Sequence, residues 1–528
     1  MIMRIFLVSA VLLLSGLSWC SCSSDSNGGG EVPKGEDPVC SITAPVNGAE
    51  VPLLQSLEIK GTASVEGGTI EKVTLTVGDE TISEVSAVPF EYVYPTEKLA
   101  EGTLTIRMDV VDNNNKTASH SISVTVSREL KGSVEKFTEW VAAGRQGNIA
   151  DQDFAKAAID KNEEAQAAGI IYPVVQQSVE QEFGSGWDAR VLKIGDKQMK
   201  IWYKVYGECP VDGRSLYISL HGGGNTAPSV NDGQWNNQKG LYTPAEGVYL
   251  APRAAVDDWD MWFQQHTQDF YDAIIRMAVI RENVNPDKVY LMGYSAGGDG
   301  LYRMAPRMAD RWAACAMMAG HPGGVSGMSA RNIGFTLWMG ANDSAYNRNI
   351  RIVEFGEHLA SLKAEDPEGY VYEVNVVPGK GHWMDLEDKA AVPWMAKFRR
   401  NPLPDRVAWK QDNERGECVL GDFYWLAIDA GEMSKENPNK AKELIVERSG
   451  NTFTVLRSEY DKFYIALNSD MVDFSQPVKV IKDGATLFEG MVTPNIKDVY
   501  ESAMSRKDDR YIFSAYVTVD GQNSGQRN

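Results

Sequence analysis

Cysteine is scarce in this sequence: 6 in 528 residues, with no CxxC pair, and two of them, Cys20 and Cys22, fall within the first two dozen positions. That spacing signals neither a disulfide scaffold nor a paired-cysteine zinc site. Histidine is equally scarce, at 6, and no HExxH run occurs. Nothing therefore points to a helical zinc centre. Cations are outnumbered, with 52 Lys and Arg against 72 Asp and Glu, and a net charge of −20 repels phosphate backbones and anionic lipid. Nucleic acid is not an expected partner. Beyond the N-terminus no segment approaches the roughly 18 apolar residues that a membrane-spanning helix needs. Core-forming residues are not lacking: 43% hydrophobic and 23% charged is an ordinary globular composition. The length fits about three or four folded units.

At the start, Arg4 precedes an apolar run from Ile5 to Leu17, long enough for a signal-peptide core and too short to cross a membrane. The run leads into Leu17-Ser18-Trp19-Cys20-Ser21-Cys22-Ser23-Ser24-Asp25, which resembles a bacterial lipoprotein signal, where the thiol of the new first residue is acylated. Small Ser21 favours Cys22, whereas Leu17, three residues before Cys20, favours Cys20; both stay open. The bland alternative is a secretory signal with incidental cysteines. The expected order is a signal peptide over 1–22, then a polar, Gly-rich tether over 23–38. The mature chain is expected on the bacterial cell envelope, periplasmic or at the cell surface, with lipid as its sole membrane contact.

From 39 to 128 apolar residues alternate (Val73, Leu75, Val77; Leu104, Ile106, Met108, Val110; Ile122, Val124, Val126), divided by turns such as Asn47-Gly48 and Asp112-Asn113-Asn114-Asn115. Period two with short segments predicts an immunoglobulin-like β-sandwich, and the stretch resembles the bacterial immunoglobulin-like modules of secreted enzymes. Such modules are mostly spacers. The Asp112 turn is expected to be a hairpin tip rather than a calcium loop. Residues 129–187 are helical in pattern, with Ser133 as the expected N-cap, and read as a connector. From 188 to 402 strands (216–220, 248–251, 289–292, 315–318, 335–339, 371–377) alternate with amphipathic helices, one with its stripe at Phe270, Ala273, Ile274, Met277 and Ala278. This alternation predicts an α/β doubly wound, parallel sheet covered on both faces. From 403 to 528 strand patterns return, as an expected C-terminal all-β domain.

The chemistry gathers in the central segment. Gly293-Tyr294-Ser295-Ala296-Gly297 has the form G-x-S-x-G, weak alone but placed between an apolar strand and a helical stretch, where a strained turn exposes a nucleophile. Upstream, the strand ending at Leu220 runs into His221-Gly222-Gly223-Gly224, whose glycines let backbone N–H groups approach a carbonyl oxygen. Gly223, Gly224 and Ala296 are the candidate oxyanion donors; losing one such donor typically costs about 100- to 1,000-fold in turnover. A serine needs a base. His382, in the Gly379-Lys380-Gly381-His382-Trp383 loop after the last strand of the sheet, is favoured over His266 and His321, and Asp343, after the preceding strand, is the candidate orienting acid.

The order Ser295, Asp343, His382 behind an oxyanion loop resembles the α/β-hydrolase superfamily, and within it the secreted esterases related to feruloyl esterases and polyhydroxybutyrate depolymerases. The resemblance implies a serine esterase with Ser295 as nucleophile, Asp343 as acid and His382 as base, acting through an acyl-serine without metal or cofactor. The His221 loop departs toward lipases. Trp259, Trp262, His266, His321 and Trp383, with Trp235, Tyr346 and Arg348 nearby, are candidate substrate contacts, since aromatic rings stack on sugars or aromatic acyl groups. Asp257, Asp258 and Asp260 read as a solvated loop. The expected substrate is an ester of short or aromatic acyl groups on polysaccharide or oligosaccharide. A peptidase on the same fold and a non-catalytic glycan-binding module are the alternatives, and oligomeric state is not legible.

Overall fold

The computed structural model describes residues 36–52, 56–85, 88–95, 98–127, 132–410, 420–429 and 442–527. Cys20, Cys22, most of the tether and Cys418 lie outside the described residues. Two compact units divide at Lys131 and Gly132.

The first unit is the β-sandwich. A three-stranded sheet runs in the order Val39–Ala44, Leu57–Ser64, Phe90–Tyr94. A five-stranded sheet runs Glu50–Pro52, Thr117–Ser127, Gly102–Asp112, Ile70–Val77, Glu80–Val85. Alternation delivers one face of each strand to the core, where Ile59, Val73, Leu75, Ile106, Met108, Val110 and Val124 are fully or almost fully buried. The Asp112 carboxylate caps its hairpin by accepting the amides of Asn114 and Lys116 at 2.9 and 2.7 Å.

The second unit joins the expected connector, the α/β segment and the C-terminal region in one body. Its centre is an eight-stranded sheet: β1 Val191–Ile194, β2 Lys197–Tyr206, β3 Arg214–Leu220, β4 Gly247–Arg253, β5 Val284–Tyr294, β6 Ala314–Met318, β7 Gly334–Gly340 and β8 Val371–Val377. The spatial order is β1-β2-β4-β3-β5-β6-β7-β8. β3 to β8 are parallel, whereas β1 and β2 form an antiparallel edge. β4 and β6 are buried at every residue and β3 at all but its first, so both faces of the sheet are covered. Helices α3 Pro228–Gln238, α4 Gln265–Glu282, α5 Ala296–Arg307, α6 Arg348–Glu365 and the short α7 Ala391–Met395 pack against it.

Two further helices, α1 Ser133–Ala142 and α2 Lys161–Asp188, precede the sheet. Ser133 is the first helical residue of α1 and Gly132 occupies the cap position without a side-chain bond, which corrects the expected Ser133 cap. In α2, Asp160 and Glu163 form a reciprocal capping box. α1 and α2 pack against α8, Ile496–Arg506, around Phe137, Trp140, Ile171, Val175, Ile496 and Val499. Among the described residues the C-terminal region, expected to be all-β, is thus β-rich with one α-helix. Its strands form two five-stranded sheets, one running from Arg406–Lys410 to Ala485–Gly490, the other from Asp422–Phe423 to Gly525–Gln526. Val407, Trp409, Phe423 and Trp425 belong to the same hydrophobic cluster as the central sheet. Among the described residues no helix is long and apolar enough to cross a membrane.

Candidate active site

β5 ends at Tyr294 and α5 begins at Ala296, so Ser295 alone makes the turn. Its backbone is left-handed, φ 57° and ψ −119°, a conformation that costs energy for a residue with a Cβ. Its own backbone groups hold it there: the Ser295 amide donates to Met318 O at 2.9 Å, and its carbonyl accepts from the Asp299 amide at 2.9 Å. Space fixes the flanking glycines. A Cβ on Gly293 would collide with the carbonyl of Gly297, and one on Gly297 with the carbonyl of Leu220 at the end of β3. That close crossing brings the loop after β3 to the serine.

His382 Nε2 lies 2.9 Å from Ser295 Oγ, and His382 Nδ1 lies 2.6 Å from Asp343 Oδ2. The three side chains expected from their order in the sequence therefore form one continuous relay. Asp343 is almost fully buried, its backbone held by Gly340 O and the Asn349 amide, with Arg348 3.8 Å from its other oxygen. His382 remains about half exposed, at the mouth of a cleft of about 800 Å³.

The loop after β3 partly departs from expectation. Gly222 and Gly223 line the cleft with Ser295, but the Gly224 amide donates to Asn231 Oδ1 at 2.9 Å and is not available to a ligand. This corrects Gly224 as a donor. Gly223 and Ala296 remain. The Ala296 amide opens α5, where the first N–H groups have no partner within the helix. Gly223 has φ +107°, and a Cβ there would strike Asn231 Oδ1. Asn231 is itself buried, donates to Asp257 Oδ1 at 2.7 Å, and Asp257 pairs with Arg253. Asp257 is therefore a structural acid and not a member of a solvated loop. Asn231 had no signal beyond lying in the helix that follows the glycines.

His221 is fully buried. Its Nε2 accepts the Ala254 amide at 3.2 Å, which places the ring proton on Nδ1, 2.6 Å from Gly222 O. Burial, chiefly, lowers its pKa to about 4, so at neutral pH the ring is an uncharged strut under the glycine loop.

Of the expected substrate contacts, only Trp383 lines the cleft, 49% exposed. Trp262 is 0% exposed and donates its indole N–H to His221 O at 2.8 Å; it is core. Trp259 is partly exposed outside the cleft lining, its ring edge-on to Phe263 with centroids 5.2 Å apart. His266 lies on α4 edge-on to Phe270, and His321 accepts the Gly323 amide at Nδ1, neither lining the cleft. Desolvation lowers the pKa of both histidines. Trp235 donates to Ala251 O, also a structural role. The residues the sequence did not reveal are Gln234, Asn237, Gln238 and Leu241 from α3 and its end, with Tyr294 and Leu386. Among the described residues no group of three His, Cys, Asp or Glu side chains is arranged to hold a metal ion.

Residues 38–108 match the bacterial Ig domain family, which assigns most of the first unit and none of the second. No curated protein matches the chain. Among solved structures the chain is similar to a ferulic acid esterase, at 16% identity and a TM-score of 0.26, over 38% of this chain and 97% of that one. A thermostable esterase is similar at 13% identity and a TM-score of 0.32, over 67% and 99%. Fibronectin(III)-like modules of Clostridium thermocellum CbhA are similar at 27% identity and a TM-score of 0.16, over 18% of this chain and half of that one. Likenesses of this extent assign no activity.

Proposed function

We propose that the chain is a serine hydrolase of carboxylic esters on an α/β-hydrolase fold. The observation that carries this reading is the unbroken relay from Asp343 through His382 to a serine held on a left-handed turn. The strand order, with an antiparallel second strand and the serine after β5, supports it. His382 Nε2 takes the Ser295 proton as Oγ attacks the ester carbonyl, while Asp343 fixes the imidazole tautomer and stabilises the imidazolium. The amides of Gly223 and Ala296 receive the developing oxyanion. His382 then protonates the departing alcohol, and water, deprotonated by the same ring, releases the acid from Ser295.

The cleft wall favours a neutral, hydroxylated substrate with a short or aromatic acyl group. α3 contributes the amides of Gln234 and Asn237, and Trp383, Leu386 and Tyr294 also line the cleft; among the described residues His382 and the Tyr294 phenol are the ionisable side chains of that lining. Amides and an exposed indole suit a sugar ester. Ser295→Ala tests the reading: ester hydrolysis should fall to the roughly 1,000- to 10,000-fold residual over water that oxyanion binding alone supplies, with the melting curve unchanged. Near-normal turnover would overturn it.

The same reading takes the leader as a lipoprotein signal, with Cys22 or Cys20 acylated and the sandwich as a spacer between membrane and enzyme. Replacing both cysteines should move the protein from the membrane to the soluble fraction, since two acyl signals anchor stably. Retention on membranes would refute acylation.

A further inference from the structure

We propose that Tyr294, the residue directly before Ser295, is a positioning residue that clamps the His382 loop over the nucleophile; the inference rests on the esterase reading. Its hydroxyl makes two bonds to the loop backbone, donating to His382 O at 2.7 Å and accepting the Met384 amide at 3.2 Å. Its ring stands edge-on to the His382 imidazole, centroids 6.1 Å apart at 77°, and 5.7 Å from the Trp383 ring. Elsewhere the loop is tied by the Asn342 amide donating to Lys380 O at 2.8 Å, by the Lys380–Asp385 ion pair at 2.6 Å and by the fully buried Met384 side chain, whereas the Tyr294 hydroxyl acts at the backbone of His382 itself. Between the end of β8 and the short 3-10 turn Glu387–Ala390 the loop has no regular structure, and Asp385 and Leu386 take φ of 52° and 64°. At the far end Tyr242 donates its hydroxyl to the buried Asp388, so two tyrosines hold the segment. The His382 side chain is itself 43% exposed, so packing alone does not seat it.

The consequence is that one strand sets both reacting groups. β5 carries Ser295 at its tip and, one residue earlier, the hydroxyl that fixes the backbone of residue 382. The 2.9 Å contact from Nε2 to Oγ is thus keyed through Tyr294 rather than through bound substrate. Loss of the hydroxyl leaves the ring, and with it the cleft wall, in place. Its effect should therefore fall on kcat and not on KM.

The same strand supplies a control. Tyr290 donates its hydroxyl to Phe398 O at 2.9 Å, away from the loop, so Tyr290→Phe removes a tyrosine hydroxyl bond on the same strand without touching His382. With p-nitrophenyl acetate and the full chain, Tyr294→Phe should lower kcat about 10- to 100-fold, the scale of a displaced catalytic group, with KM little changed. Tyr290→Phe should keep wild-type kcat at a similar fall in Tm. Placing 4-aminophenylalanine at 294, which retains an N–H donor, should restore most of the turnover. Wild-type kcat in a folded Tyr294→Phe protein, or equal losses in both phenylalanine variants, overturns the clamp. An inactive Ser295→Ala protein in the same assay shows that the esterase reading then still stands, whereas an active one overturns both. If Tyr294→Phe does not melt cooperatively, the 4-aminophenylalanine protein decides: turnover near wild type supports the clamp, and a tenfold-scale loss overturns it.

Discussion

The amide of Gly224 donates to Asn231 Oδ1, and that one bond takes Gly224 out of the three glycines after His221 as an oxyanion donor. It ties Gly224 to α3 and leaves Gly222 and Gly223 lining the cleft with Ser295. Asn231 is held in turn by Asp257, and Asp257 by Arg253, which also pairs with Asp232 at 2.9 Å. Such a network, anchored on the buried Asn231 and Arg253, is rigid when every member is satisfied. Asn231→Leu keeps the volume and removes the acceptor. Turnover should fall about 10- to 100-fold through misplacement of the oxyanion donors. The check is kcat for a p-nitrophenyl ester alongside the melting curve; unchanged kcat would leave Asn231 as core only.

The tryptophans separate into two classes that kinetics can distinguish. Trp383→Ala should raise KM several-fold for a sugar ester and little for p-nitrophenyl acetate, because ring stacking is worth about 0.5 to 1.5 kcal/mol beyond area burial. Trp262→Ala should instead destabilise the fold by about 3 to 5 kcal/mol, as a large buried side chain does, with KM a poor reporter. A Trp383→Ala protein with equal KM changes for both esters would remove the sugar from the proposal.

Much of this was legible beforehand, for reasons particular to certain residues. Strands β3, β4 and β6 are nearly continuous apolar runs because both faces are covered, and such runs stand out against their polar flanks. β2 did not stand out: it alternates Met199 and Ile201 with lysines, as a partly solvated strand does, and the edge strand β1 is only four residues long. The relay was legible because Ser295, Asp343 and His382 each follow a strand end. Trp262 was misplaced because composition does not tell an indole under the glycine loop from one beside it. The union of the C-terminal region with the sheet was illegible for another reason: its contacts span a hundred residues or more of chain. Arg400, itself buried, pairs with the partly buried Asp287 and Asp508, at 3.0 and 2.7 Å, and Arg506 pairs with the buried Asp310 at 2.9 Å. No local periodicity encodes such pairs.

The buried His221 gives the site a pH signature that is separate from catalysis. Its pKa is lowered from 6.5 to about 4, chiefly by burial. Between those two values the unfolded chain binds a proton that the native ring refuses, so stability falls as pH falls through the window and levels off for this group below about 4. At about 1.4 kcal/mol per pH unit, the full window is worth on the order of 3 kcal/mol. Asp388, bonded to Tyr242, works in the opposite sense, since burial raises its pKa and its contribution declines as pH rises. A single stability curve therefore mixes the two, and the comparison has to be made by substitution. His221→Gln keeps an acceptor for the Ala254 amide and removes the titration. Urea midpoints between pH 7 and 4.5 should fall more steeply for the wild type than for His221→Gln, and parallel curves would show that His221 does not carry the acid sensitivity of the oxyanion loop.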